Sequence, residues 1–166
     1  MKRGLFIGRF QPFHLGHLED IEDALKEVDE LIIGIGSSNE ESTKENPFSA
    51  EERIEMIDTV LQKHGIKKYR IFKIPDFHDD KKWVEHIEKN IPKFDRVYTG
   101  NEWTERCFRA KKYEVKKIKL VKGISSTIIR NMIAGSKEWK KLVPKGAADF
   151  IGKIKGVERV KKTFKK

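Results

Sequence analysis

Two stretches of this 166-residue chain carry side chains of the kind that grip phosphate. The first is Gly8-Arg9-Phe10-Gln11-Pro12-Phe13-His14-Leu15-Gly16-His17, directly after the apolar run Leu5-Phe6-Ile7. A buried strand passing through a short loop into a helix leaves unpaired N–H groups and the positive end of the helix dipole at that loop, which is an anion site. Gly8 fits a tight turn at the strand end, and Pro12 biases Gln11 toward extended backbone. Three residues separate His14 from His17, so on one helical turn their imidazoles share a face and lean toward the N-terminus, at one anion. Neutral or protonated, each ring keeps an N–H to donate. The competing reading is a pair of ordinary surface or capping histidines; their place after a buried strand favours phosphate.

The second stretch is Ile124-Ser125-Ser126-Thr127-Ile128-Ile129-Arg130. Three hydroxyls gather at a helix start, and Arg130, one turn inside, leans back toward it and can pair bidentately with phosphate oxygens. Taken alone, the stretch reads equally as plain N-capping by Ser125 with a solvated Arg130. Two phosphate-ready helix starts in one small chain suit a triphosphate, which is long enough to need two anchors.

The elements that must hold these loops alternate short apolar runs with helical periods. Strands are expected at Leu5-Phe6-Ile7, at 31–36, at 69–74, at 96–99 and at 113–115. Helices are expected where Leu18, Ile21, Leu25 and Val28 recur at three- and four-residue spacing, after the Ser49/Glu52 capping box, at 83–89, from Ser125 onward and from Pro144 onward. Gly65 and Gly135 are placed as helix stops. The pattern predicts one α/β domain over residues 1–166, a single Rossmann-like doubly wound parallel sheet with a helical C-terminal segment. Such sheets bind ligands outside the carboxyl ends of strands where strand order reverses.

Composition narrows the rest. One cysteine, Cys107, excludes an internal disulfide, and no Cys/His cluster has zinc spacing. No apolar run has the length of a signal peptide or a membrane span, so a cytoplasmic protein with no membrane partner is expected. The net charge of +10 suits anionic partners, but the lysines sit in mixed-sign stretches such as Asp79-Asp80-Lys81-Lys82, and nucleic acid is not expected.

The two stretches resemble the H-x-G-H and I-S-S-T-x-x-R signatures of the nucleotidylyltransferase superfamily. Residues 28–37, 46–53, 94–101, 142–144 and 154–159 extend the likeness, over nearly the whole chain, to archaeal nicotinamide mononucleotide (NMN) adenylyltransferases. The resemblance implies NAD synthesis from ATP and NMN, dependence on Mg²⁺, and a homo-oligomer, often a hexamer. It implies catalytic roles for His14, His17 and Arg130, and an ATP site of these three with Gly8, Arg9, Phe10, Gly100, Asn101, Ser125, Ser126 and Thr127. It also implies NMN contacts from Ile35, Gly36, Ser37, Asp80 and Trp83, with Trp83 stacked on the nicotinamide ring. For Trp83 the residues themselves leave a core aromatic equally open. No carboxylate cage is visible, so Mg²⁺ is expected to be held by ATP and water rather than by protein ligands.

The chain departs from the family in places. The loop after the second strand lacks the usual histidine, Asn131 and Met132 stand where arginines commonly follow Arg130, Ile128 stands for a glutamate, and Asp80 for an asparagine. The ATP motifs do not read the acceptor, which leaves phosphopantetheine, flavin mononucleotide or a phospho-alcohol as alternatives. A non-catalytic nucleotide sensor or a basic nucleic-acid-binding module are the readings from other classes.

Overall fold

The computed structural model describes residues 1–165. Five strands form, β1 (Arg3–Gly8), β2 (Glu30–Ile35), β3 (Tyr69–Lys73), β4 (Arg96–Thr99) and β5 (Glu114–Lys117), and they pair in parallel in the order β3-β2-β1-β4-β5. Helices α1 (Leu15–Ala24), α2 (Ala50–Lys63), α3 (Asp80–Asn90) and α4 (Glu102–Ala110) connect them, and α5 (Ser126–Ala134), α6 (Lys145–Lys153) and α7 (Gly156–Phe164) follow β5. This is the expected doubly wound α/β sheet with a helical C-terminal segment.

Side-chain alternation along β1 builds a core on each face. Leu5 and Ile7 join Trp83, Val84 and Ile87 of α3 and Cys107 and Phe108 of α4. Phe6 joins the larger cluster with Leu18 and Ile21 of α1, Met56 and Ile57 of α2, Ile129 of α5, Ile151 of α6 and Val160 of α7. Chain order runs outward from β1 through β2 and β3 on one side and resumes at β4 on the other. The crevice at the carboxyl ends of β1 and β4 is therefore the switch point.

Several expected boundaries move. The apolar spacing carries the first helix to Val28, but α1 stops at Ala24, and Glu27 N–H and Val28 N–H both bond back to the Ala24 carbonyl. Val28 packs into the core from that tightened turn. The strand expected at 113–115 begins at Glu114, and Tyr113 instead stacks on Phe94 at 4.9 Å. Gly65 is left-handed as a stop residue should be (φ 69°), whereas past α5 it is Ser136, not Gly135, that takes positive φ (55°).

Candidate active site

The β1–α1 loop owes its shape to aromatic packing. Phe10 is left-handed (φ 54°) and 1% exposed, and its ring folds back so that a Cβ on Gly8 would lie 2.9 Å from its Cζ. Gly8 has no positive φ, so the tight-turn reason expected for it is replaced by a steric one. The side chain of Phe10 belongs to the core, stacked on Phe6 and tilted against Phe13. Ile35 likewise is fully buried, with its carbonyl taken by Ile74 N–H.

His14 is the N-cap of α1 and His17 its third residue, and each caps the other. His14 Nδ1 accepts from His17 N–H at 3.3 Å, and His17 Nδ1 accepts from His14 N–H at 3.1 Å. The rings stack at 3.5 Å between centroids, and Phe10 and Phe13 hold His17 from two further sides. Gly16 is required here because a Cβ would meet His14 Cε1 at 2.9 Å. Burial pushes His14 down to about 4, and burial followed by the His14 charge pushes His17 well down. Both imidazoles are neutral at pH 7, and since each Nδ1 is an acceptor, the proton sits on Nε2. The pair thus offers two Nε2–H donors beside the free N–H groups of α1, without adding charge.

The second stretch lies against the first. Ser125 caps α5, its Oγ accepting from Ile128 N–H at 3.1 Å. Ser126 Oγ donates to the Pro12 carbonyl at 2.8 Å, and Arg130 donates to the Gln11 carbonyl at 2.8 Å and to Thr127 Oγ1 at 3.3 Å. Arg130 is 5% exposed, so it is no solvated surface residue. Burial lowers its pKa, and so does the nearby Arg9 charge, against a smaller opposing effect of Glu45. Two helix N-termini are thereby clamped side by side.

Two buried residues that the sequence reading passed over set the rest. Gln11 exchanges two hydrogen bonds with the Phe48 backbone, at 2.9 and 3.0 Å. Arg53 is fully buried, and its guanidinium donates to the carbonyls of Arg9, Gly36, Ser37, Glu40 and Ser49. Burial and the Arg9 charge push it down to about 10. A planar fork with five donors is the one side chain that satisfies so many carbonyls at once. The charged pattern of α2 hid it, since Arg53 reads there as one more solvated arginine.

Beside the loop lies a cavity of about 320 Å³ lined by Gly8, Arg9, Gly36, Ser37, Asp76, Trp83, Asn101, Trp103 and Thr104, with Ile7 at its base. Asn101 caps α4 through Thr104 N–H at 3.0 Å, and a Cβ on neighbouring Gly100 would crowd Ile118 at 3.0 Å. Ser37 Oγ donates to Asp76 at 3.0 Å. Trp83 lines the cavity but is only 4% exposed, covered by Trp103. Asp80 lines a different cavity and reaches this one through Trp103, whose indole N–H donates to it at 3.0 Å. The loop after β2, where the resemblance expected a histidine, turns toward the C-terminal helix, with Lys44 over the Phe164 ring at 4.7 Å. Among the described residues no group of three or more His, Cys, Asp or Glu could hold a metal ion, and no helix is long and apolar enough to cross a membrane.

The sheet order and the paired helix starts define a nucleotide-binding α/β protein, and the family model described as cytidylyltransferase-like matches residues 5–132. Nicotinamide-nucleotide adenylyltransferases from Thermococcus onnurineus and Pyrococcus furiosus are each 42% identical to the chain, aligning over 96% and 97% of it and 87% and 88% of their own lengths. That of Methanococcus aeolicus is 43% identical, over 96% of the chain and 94% of its own length. The solved structure of a bifunctional NMN adenylyltransferase/ADP ribose pyrophosphatase from Francisella tularensis, complexed with AMP and a manganese ion, superposes with TM-score 0.84 at 28% identity. It covers 98% of the chain, which spans 51% of that longer protein. The chain belongs to the cytidylyltransferase-like family and, within it, to the nicotinamide-nucleotide adenylyltransferases.

Proposed function

We propose that the chain transfers the adenylyl group of ATP to NMN, forming NAD and pyrophosphate. The observation that carries this reading is the clamp between the two helix starts, Arg130 to Gln11 and Ser126 to Pro12, beside a cavity with room for a second nucleotide. The NMN phosphate attacks the ATP α-phosphorus in line. Its oxygen forms the new P–O bond, and the bond to the bridging oxygen breaks with pyrophosphate taking the electron pair. No protein nucleophile is needed, so the work is alignment and charge stabilisation.

Each residue then has a task. The Nε2–H groups of His14 and His17 donate to phosphate oxygens where charge builds. Ser125, Thr127 and Arg130, with the backbone N–H of Ser126, whose hydroxyl is taken by the Pro12 carbonyl, hold the β- and γ-phosphates, and Arg9, exposed at the cavity wall, offsets charge on the α-phosphate and the incoming NMN phosphate. Gly100 and Asn101 border the adenosine, and Gly36, Ser37 and the tryptophan pair border NMN. These donors are hydrogen-bonding and cationic, suited to phosphate and not to a metal. Mg²⁺ would accordingly enter with ATP rather than through protein ligands, and would supply charge neutralisation on the phosphates. A cytoplasmic location, from the single cysteine, and a homo-oligomer, from the resemblance, complete this reading.

Product analysis with ATP and a panel of acceptors tests the reading. NMN should give NAD and pyrophosphate, while phosphopantetheine, flavin mononucleotide and phospho-alcohols should give no adenylylated product. Efficient transfer to one of those instead of NMN would overturn it.

A further inference from the structure

We propose that Trp103, held in place by Asp80, is the aromatic face on which the acceptor's ring docks and the residue that makes the site prefer a cationic ring. This rests on the reading of the acceptor as a nicotinamide nucleotide. Trp83, the residue singled out by resemblance, is 4% exposed and meets the Phe108 ring edge-to-face at 5.7 Å, deep in the core between α3, α4 and the sheet. Trp103, in the first turn of α4, lies across it at 4.6 Å and 44°. It is half-buried and lines the same cavity. The indole surface within reach of a ligand therefore belongs chiefly to Trp103, with Trp83 backing it.

Two observations give that surface a sign. The indole N–H of Trp103 donates to the Asp80 carboxylate at 3.0 Å, which fixes the ring and, by polarising the N–H bond, enriches the π face. Asp76, whose carboxylate accepts from Ser37 at 3.0 Å, lines the cavity as well. A cationic pyridinium against an indole face gains a cation–π attraction that a neutral ring lacks. Arg9 in the same cavity supplies the opposite sign for the acceptor's phosphate.

The experiment measures Michaelis constants for NMN, its neutral reduced form and ATP, with melting curves, in the wild-type protein and in Trp103→Leu, Trp103→Phe and Asp80→Ala. Trp103→Leu should raise the constant for NMN about tenfold, leave that for ATP within about twofold, and narrow the preference for NMN over its neutral reduced form. Trp103→Phe should fall between, and Asp80→Ala should reproduce part of the loss. If Trp103→Leu does not fold, Trp103→Phe with Asp80→Ala decides. Wild-type protein that makes NAD, with variants whose NMN constants are unchanged, overturns this assignment alone. Wild-type protein that does not accept NMN overturns the functional reading and this assignment with it.

Discussion

Arg130 and Gln11, 119 residues apart in the chain, are joined by a buried hydrogen bond of 2.8 Å from the guanidinium to the carbonyl. The same guanidinium reaches Thr127 at the start of its own helix, so it locks the loop that carries His14 to the helix that carries the three hydroxyls. Lysine keeps the charge but not the fork. Arg130→Lys is expected to raise the Michaelis constant for ATP and lower turnover, each by about tenfold or more. Unchanged steady-state constants would reduce the bond to a structural tie.

The mutual capping of His14 and His17 makes a sharper forecast. Alanine at either position removes a donor that matters most in the transition state, and turnover should fall by about 10²–10³ while ATP affinity changes far less. Because both rings are neutral well above their lowered pKa values, their titration contributes no change in turnover between pH 6 and 8. The protonation of His14 belongs near pH 4. A histidine-dependent inflection near pH 6.5, lost in His14→Ala, would contradict the neutral tautomers; pH–rate profiles of wild type and variant check this.

Much of this architecture was legible in the residues, and the exceptions have physical causes. The central strands β1 and β2 showed because buried parallel strands are continuous apolar runs, and the two loops at the starts of α1 and α5 showed because helix starts advertise themselves with capping residues. Helix α4 did not, since in Glu102–Ala110 apolar Trp103, Cys107 and Phe108 sit among charges. A usable signal existed: parallel β4 and β5 need a crossover, and Asn101 is a capping residue. Nor could the sequence tell that Phe10 turns inward while Arg53 is buried whole. Arg53 depends on contacts between segments distant in the chain, its Nη1 bridging to Gly36 at 2.7 Å and Arg9 at 3.0 Å, and Phe10 turns inward through a left-handed backbone (φ 54°) that a bulky residue rarely adopts.

Arg53 should be more costly to remove than any exposed arginine. Truncation strips donors from several carbonyls at once, each unsatisfied group costing about 1–3 kcal/mol. Arg53→Ala is expected to lower the melting temperature sharply, and Arg53→Lys to recover only part of it. Denaturation curves of the two variants check the order; an unaltered melting temperature in Arg53→Ala would refute the bridging role.

Asp20 introduces a pH dependence of the opposite sign to the histidines. It is 7% exposed, and burial first, then the Glu19 and Asp23 charges, raise it from 3.8 to about 7 against the backbone N–H of Lys119. Between those values the folded state keeps a proton that the unfolded state releases, so this contribution to stability is full below about 3.8 and lost as pH rises through 7. His14, lowered from 6.5 to about 4, does the reverse and costs stability as pH falls through that window. Asp20→Asn should therefore raise the melting temperature at pH 8 more than at pH 4. A gain that is equal at both would mean that Asp20 titrates normally.

The measurement that bears most directly on the whole account is the fate of the ATP phosphates during turnover with NMN. Using ATP labelled at the α-phosphorus and, separately, at the γ-phosphorus, the α-label should appear in NAD and the γ-label in pyrophosphate, one for one. No label should be trapped on the protein. NAD formation without stoichiometric pyrophosphate, a labelled protein intermediate, or no NAD from wild-type protein would contradict direct adenylyl transfer across the two clamped helix starts.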